Sequence, residues 1–284
     1  MQIVCKNLTF TYGKDKRIQV DAVKNLSLTI EEGEFFGIIG ETGSGKSTFI
    51  QQLNGLIKPT TSDELKVGEF DLLDKKCDYK KLRSKVGMVF QYPEYQLFAE
   101  SVFEDVAFGL KNFEKLNEKE IEEMVRSAIE IVGLDYEKIK DKSPFDLSGG
   151  QKRRVAIAGV LVTKPEVLIL DEPASGLDPE GKEQLLELLH KIHNSFVKTI
   201  IMVSHDMNMV VEHCTKIALF NKGEIYSTGK PFVVFEKLDN LEKVGLEQPL
   251  TGYLKKELEK KKVSVDTDLT VDDFVEKIVE KIKK

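Results

Sequence analysis

The nine residues GETGSGKST at positions 40–48 constrain this chain more than any other stretch. They match the phosphate-loop pattern G-x-x-x-x-G-K-[ST] at every fixed position, and such a loop works only where a buried strand delivers it and a helix leaves it. Both flanks read that way. Residues 35–39, FFGII, are an apolar run of the parallel-strand type, and residues 48–53 continue without Gly or Pro, with apolar side chains at helical spacing. Gly40, Gly43 and Gly45 permit the tight turn, so that backbone N–H groups and the helix N-terminus face an anion. Lys46 then reaches the β- and γ-phosphates, and Ser47 offers its hydroxyl to a magnesium ion bridging them.

A chain of 284 residues has room for one large α/β domain with a tail. Its net charge of -6 argues against a dedicated nucleic-acid binder, whose footprint is basic. Cys5, Cys77 and Cys214 are far apart with no C-x-x-C spacing, which predicts neither a zinc site nor a disulfide framework and points to a reducing compartment. No apolar run is long enough to span a membrane, and the first residues, MQIVCK, lack the apolar core of an export signal.

Taken in order, residues 2–10 and 22–30 read as antiparallel strands ahead of the phosphate-loop strand. Tyr12 follows the first, where an aromatic ring can stack on a base. Residues 64–72 resume strand character, and residues 85–90 form a buried strand running into Gln91, at a strand edge where ligand contacts are expected in open α/β sheets. Residues 117–133 predict a helix with an Asn117/Glu120 capping box and an apolar face of Ile121, Val125, Ala128, Ile129 and Val132. Ser148, Gly149, Gly150 and Gln151 open another helix carrying Lys152, Arg153 and Arg154, a second anion-binding surface. Residues 166–172 read as a buried strand ending in Asp171, suited to a magnesium shell, and Glu172, suited to activating water. A loop through Asp178 precedes a helix at 180–194, and residues 199–204 form one more buried strand with His205 at its end. Residues 217–229 read as a closing hairpin. Beyond Pro231 the chain turns to Lys/Glu-rich helices, the last with Thr270 and Asp273 as caps and an apolar face of Phe274, Val275, Ile278, Val279 and Ile282.

This order, an aromatic at 12, GETGSGKST at 40–48, Gln91, LSGGQ at 147–151, LILDE at 168–172, SGLD at 175–178 and His205, resembles the ATP-binding cassette (ABC) ATPases over about residues 1–230. The resemblance implies an α/β phosphate-loop nucleotide-binding domain with a mixed sheet core, an antiparallel β subdomain and a helical signature subdomain, followed at 231–284 by a small helical accessory or dimerisation region. It implies ATP and Mg2+ as ligands: Tyr12 stacks on adenine, Gly43, Ser44, Gly45, Lys46, Ser47 and Thr48 hold the phosphates, and Ser47, Gln91 and Asp171 surround the metal. Glu172 polarises the attacking water and His205 senses the γ-phosphate. In that family two cassettes pair head to tail, so Ser148, Gly149, Gly150 and Gln151 act in trans and Asp178 communicates across the dimer. Gly176 stands where many members carry Ala.

A finer resemblance comes from residues 90–100, FQYPEYQLFAE, with residues 102–109, VFEDVAFG, and 152–159, KRRVAIAG. They are similar to the energy-coupling factor importers for vitamins or transition-metal ions, most of all to the second ATPase of the pair. This implies a partner ATPase in a homo- or heterodimer, a membrane-embedded coupling subunit, a substrate-binding membrane subunit, and a peripheral position on the cytoplasmic face of the cell membrane. Glu94, Glu100, Glu104 and Asp105 are the carboxylates expected to meet an arginine of the coupling helices. The competing reading is a soluble cassette ATPase acting on nucleic acid or ribosomes, or the ATPase of another importer. The first would call for a second phosphate loop or a long heptad insertion between Lys46 and Ser148, and the sequence has neither.

Overall fold

The computed structural model describes residues 1–14, 17–113, 115–236 and 245–282. Its centre is a six-stranded sheet made of β3 (Phe35–Gly40), β6 (Val86–Val89), β7 (Val167–Asp171), β8 (Thr199–Val203), β9 (Lys216–Asn221) and β10 (Glu224–Gly229), in the order β10-β9-β3-β8-β7-β6. All neighbours pair in parallel except the β9–β10 hairpin. A second, antiparallel sheet contains β1 (Ile3–Tyr12), β2 (Val20–Ile30), β4 (Glu64–Val67) and β5 (Phe70–Asp71), in the order β2-β1-β4-β5.

The apolar runs of β3, β7 and β8 are buried along their whole length because both sheet faces are covered. Alternate side chains enter different cores. Phe36, Ile38, Ile169 and Ile201 pack towards the antiparallel sheet and α1 (Lys46–Leu53). Phe35, Ile39, Leu168, Leu170 and Ile200 face a helical layer. That layer draws on α3 (Val102–Phe113), α4 (Glu118–Ile131), α6 (Gly149–Leu161), α7 (Pro179–His193) and α8 (Met207–His213), while α2 (Tyr79–Lys85) and α5 (Tyr136–Ile139) are short connectors.

The expected capping box on α4 is present: Asn117 Oδ1 accepts from Glu120 N at 3.0 Å and Glu120 Oε2 from Asn117 N at 2.8 Å. Its apolar face, with Val125 and Ile129 fully buried, packs against α3 and α6.

The last part of the chain contributes α9 (Pro231–Glu236), α10 (Leu250–Lys260) and α11 (Val271–Ile282). Val234, Phe235, Leu246 and Leu269 join the helical-side core. Asn208 and Glu212 of α8 accept the N–H groups of Leu250 and Val271 at 2.8 and 2.6 Å, so the region is anchored where its own helices begin. Two details depart from expectation. Thr270 does not cap α11 with its side chain; its hydroxyl donates to Asp268, and Asp273 reaches back to the Asp268 N–H, a local turn that wins over the helix cap. Of the apolar face, Phe274 is buried, whereas Val275, Val279 and Ile282 are exposed. Residues 237–244 and 283–284 of the expected accessory region lie outside the described residues. Among the described residues no helix is long and apolar enough to cross a membrane.

Candidate functional site

Four parallel strands deliver their C-terminal ends to one edge of the sheet, where ligands gather in open α/β folds. From β3 comes the phosphate loop, closed so tightly that two positions require glycine. A Cβ on Gly40 (φ 144°) would lie 2.2 Å from Phe220 O, and one on Gly45 (φ 102°) 2.1 Å from Ala22 O. Gly45 is also the N-cap of α1 and supplies no capping side chain, which leaves first-turn N–H groups turned into the loop. Lys46 is buried and donates to Gly40 O at 2.7 Å and Glu41 O at 2.9 Å. Burial lowers its pKa, against the opposing charges of Glu172, Asp171 and Glu41. Ser44 Oγ is buried without a partner among the described residues. A buried hydroxyl without a partner, an ammonium and a helix N-terminus in one cradle suit phosphate oxygens. At the rim, the Tyr12 hydroxyl lies 3.1 Å from Thr48 Oγ1 and its ring, half-exposed, stands edge-on to Phe10.

The neighbouring tips complete the cluster. Asp171 is buried, and that burial raises its pKa, partly offset by a hydrogen bond from Ser47. The strand ends there: Glu172, expected within it, adopts φ 47°, a left-handed conformation costly for a residue with a Cβ. That turn swings its carboxylate to the tips of β6 and β8. Glu172 Oε2 accepts from Gln91 Nε2 at 3.2 Å and lies 3.3 Å from His205 Nδ1. Ser47, Gln91 and Asp171 form an oxygen-rich donor set of the kind a hard divalent cation accepts together with phosphate oxygens.

LSGGQ is built differently. Ser148 and Gln151 close a capping box on α6, with Ser148 Oγ accepting from Gln151 N at 3.3 Å and Gln151 Oε1 from Ser148 N at 3.1 Å. The Gln151 side chain is thus turned onto its own helix rather than offered outward. Ser148, Gly149 and Gly150 are exposed, and a Cβ on either glycine would meet nothing. Asp178, also exposed, caps α7 by accepting from Gly181 N at 2.8 Å. Among the described residues no hydrogen bond joins these positions to the phosphate loop.

Residues 23–175 match the family model described as ABC transporter. The chain is 47% identical to the energy-coupling factor transporter ATP-binding protein EcfA2 of Clostridium tetani over 269 residues, 95% of this chain and 93% of that one. It is 47% identical to the EcfA2 of Clostridium perfringens over 284 residues, 100% and 99% of the two chains. The chain belongs to the ABC ATPase family. Among solved structures, CbiO1 of Clostridium perfringens, described as part of the ABC transporter complex cbiONQ, superposes with TM-score 0.73 and 38% identity over 89% of this chain and 98% of its own. An ATP-binding cassette in a dimeric post-hydrolysis state with ADP and Pi gives TM-score 0.71 and 32% identity over 81% of this chain and 99% of its own. ABC ATPases bind and hydrolyse ATP, and this chain is one of them.

In this ABC ATPase one residue ties three motifs together, a role the sequence reading missed. Arg153 is buried, with its Nε and Nη2 on Glu94 at 3.2 and 3.3 Å and Nη1 donating to Pro173 O at 3.3 Å and Ser175 O at 3.0 Å. It therefore clamps the segment after Gln91 and the loop after Glu172 to α6. The available signal was its spacing, since Arg153, Ile157 and Leu161 fall at i, i+4 and i+8 on the core-facing side. Two of the expected docking carboxylates also make contacts within the chain. Glu94 is held in the fork of Arg153, and Asp105 Oδ2 accepts the N–H groups of Phe98 and Ala99, both at 2.9 Å, so each satisfies groups of its own chain. Glu100 and Glu104 remain exposed. The same segment lines a groove of about 320 Å³, whose walls include Phe90, Phe98, Asp105, Phe108 and Gly159. Phe98 and Phe108 meet edge-on at 4.9 Å and are 60% and 51% exposed, a large apolar surface to leave in water.

Proposed function

We propose that this chain is the ATP-binding and hydrolysing subunit of an energy-coupling factor importer for vitamins or transition-metal ions, placed peripherally on the cytoplasmic face of the cell membrane. One observation carries the reading: the likeness to EcfA2 of Clostridium perfringens runs the full 284 residues, beyond the cassette and through the C-terminal helices. We take 1–230 as the cassette and 231–284 as an accessory region whose exposed Val275, Val279 and Ile282 suit a dimer contact.

In this reading Tyr12 stacks on adenine, and the backbone of residues 43–48 with Lys46 cradles the phosphates. Lys46 offsets charge on the β- and γ-oxygens from a preorganised position. Ser47, Gln91 and Asp171 would hold Mg2+, which would supply positive charge to offset that of the phosphate oxygens. Glu172, fixed from two sides by Gln91 and His205, orients water for in-line attack and accepts its proton, while His205 donates towards the γ-phosphate. The first turn of α6 completes the facing site of a second cassette, a copy or a related ATPase, with Asp178 at the junction.

The Phe98/Phe108 groove is the surface we assign to a coupling helix of the membrane-embedded subunit, with Asp105 in its wall and the exposed Glu100 and Glu104 on the same segment as partners for its arginine. The test is Glu100→Lys combined with Glu104→Lys, followed by purification of the complex from membranes. Loss of the co-purifying membrane subunits is expected, with basal ATPase retained within about threefold, as for surface changes remote from the site. Assembly indistinguishable from wild type would reject this docking surface.

A further inference from the structure

Two helices leave the site in opposite roles, and a single ion pair joins their first turns. Helix α7 starts at Asp178, on the surface assigned to the facing cassette. Helix α8 starts at Asp206, directly after His205. Lys182 Nζ donates to Asp206 Oδ2 at 2.8 Å. Asp206 is held from two further directions: its N–H donates to Ser204 Oγ at 3.0 Å, and its Oδ1 accepts from Met209 N at 3.2 Å as the cap of α8. On the other side, Lys182 N donates to Asp178 O at 3.0 Å, so the lysine sits in the turn that Asp178 caps. A cavity of about 20 Å³ brings Lys182 and Asp206 onto the same wall system as Glu172, Ser175, Ser204 and His205.

We infer that Lys182 and Asp206 are a positioning pair, which sets His205 against Glu172 according to where the first turn of α7 lies. The contacts run without a gap from Asp178 through Lys182, Asp206 and His205 to Glu172. Burial pushes the Asp206 carboxyl up, but the Lys182 ammonium and the Met209 N–H outweigh it and hold the carboxyl below its usual range, which keeps the pair charged and engaged. The pair is neutral as a unit, so its contribution is geometric. Removing the ammonium leaves a half-buried carboxylate without its partner and frees the residue next to His205 to turn towards solvent. The inference rests on the roles given above to Glu172, His205 and Asp178.

The experiment measures ATP turnover and the affinity for a non-hydrolysable ATP analogue in Lys182→Met, Lys182→Arg, His205→Ala, Glu172→Gln and the Lys182→Met/His205→Ala double variant. Lys182→Met should lower kcat about tenfold, the scale for a slightly misplaced reacting group, with analogue affinity within about threefold of wild type. Lys182→Arg should restore turnover. In the His205→Ala background the lysine change should cost less than about twofold, since it acts through that histidine, whereas a merely structural role would add. Normal kcat in Lys182→Met, failure of Lys182→Arg to rescue, or additive losses in the double variant would each overturn the inference. Normal turnover in Glu172→Gln and His205→Ala would instead remove the roles beneath it.

Discussion

The phosphate loop and the LSGGQ turn are both helix N-termini that open on glycine, yet the protein builds them in opposite ways. At the first, Gly40 and Gly45 are wedged against backbone oxygens at 2.2 and 2.1 Å from a would-be Cβ, Lys46 is buried, and Asp171 and Glu172 close in from the end of β7, beyond β8. At the second, the helix is capped by its own Ser148 and Gln151, and Gly149 and Gly150 look into open space. The first is a socket; the second is an exposed face that its own chain does not cover. Glycine therefore has two meanings here: in the socket it permits close approach of backbone to backbone, and on the exposed face it keeps backbone N–H groups accessible to something from outside.

The largest effect should come from the socket. Glu172→Gln removes the proposed proton acceptor while keeping the shape of the side chain, so ATP binding should persist and hydrolysis fall by about two to four orders of magnitude. Steady-state turnover together with nucleotide affinity checks both halves. Near-normal turnover would mean that the strained turn at Glu172 serves folding rather than chemistry.

The exposed face should give the next largest effect. Ser148→Arg projects a long cation where only small groups now stand, and hydrolysis should fall about a hundredfold, the scale for losing preorganised donors to a developing charge. Its own phosphate loop should bind ATP normally. Lys46→Ala should fail in the complementary manner, by losing binding. Mixing the two inactive chains should recover activity, because one of the two composite sites then has an intact loop and an intact LSGGQ turn. A mixture as inactive as its parts would break the contrast between socket and exposed face.

Much of this contrast was readable in the amino-acid order, for a physical reason. Strands buried on both faces are continuous apolar runs, so Phe35 to Ile39, Val167 to Leu170 and Thr199 to Val203 announce themselves, and their next residues fall at the C-terminal edge by topology alone. What stayed hidden were pairings between distant positions. Glu94 meets Arg153 across 59 residues and Lys182 meets Asp206 across 24, and no local period reports them. A surface charge and a buried, paired charge look alike in sequence, so the bonds that Glu94 and Asp105 make within the chain were not visible in their residue types. The left-handed turn at Glu172 was hidden as well, because strain at a site is set by surrounding structure that over-determines it rather than by residue preference.

The smallest predicted effect concerns how rigidly the two surfaces are joined. At the ends of α7 and α8 remote from the site, His190 Nε2 and His213 Nδ1 lie 2.8 Å apart, one ring donating and the other accepting. Burial lowers the pKa of both, reinforced at His190 by the charge of His193 and at His213 by that of His190. A second proton would set donor against donor, so the unfolded chain takes up protons at a higher pH than the folded one. The sign follows: this contribution is complete above about pH 6.5, the ordinary histidine value, and declines as pH falls through it. Carboxylates held low by partners, such as Glu166 and Asp206, lose their contribution only below about pH 4.5, outside this window. Buried Asp171, shifted up, acts with the opposite sign and is common to both proteins compared. Between pH 7.5 and 5.5 wild type should therefore lose Tm. In His213→Asn, which removes the shared proton, thermal melts across the same range should give a shallower slope. Parallel slopes would show that the histidine pair does not titrate with folding.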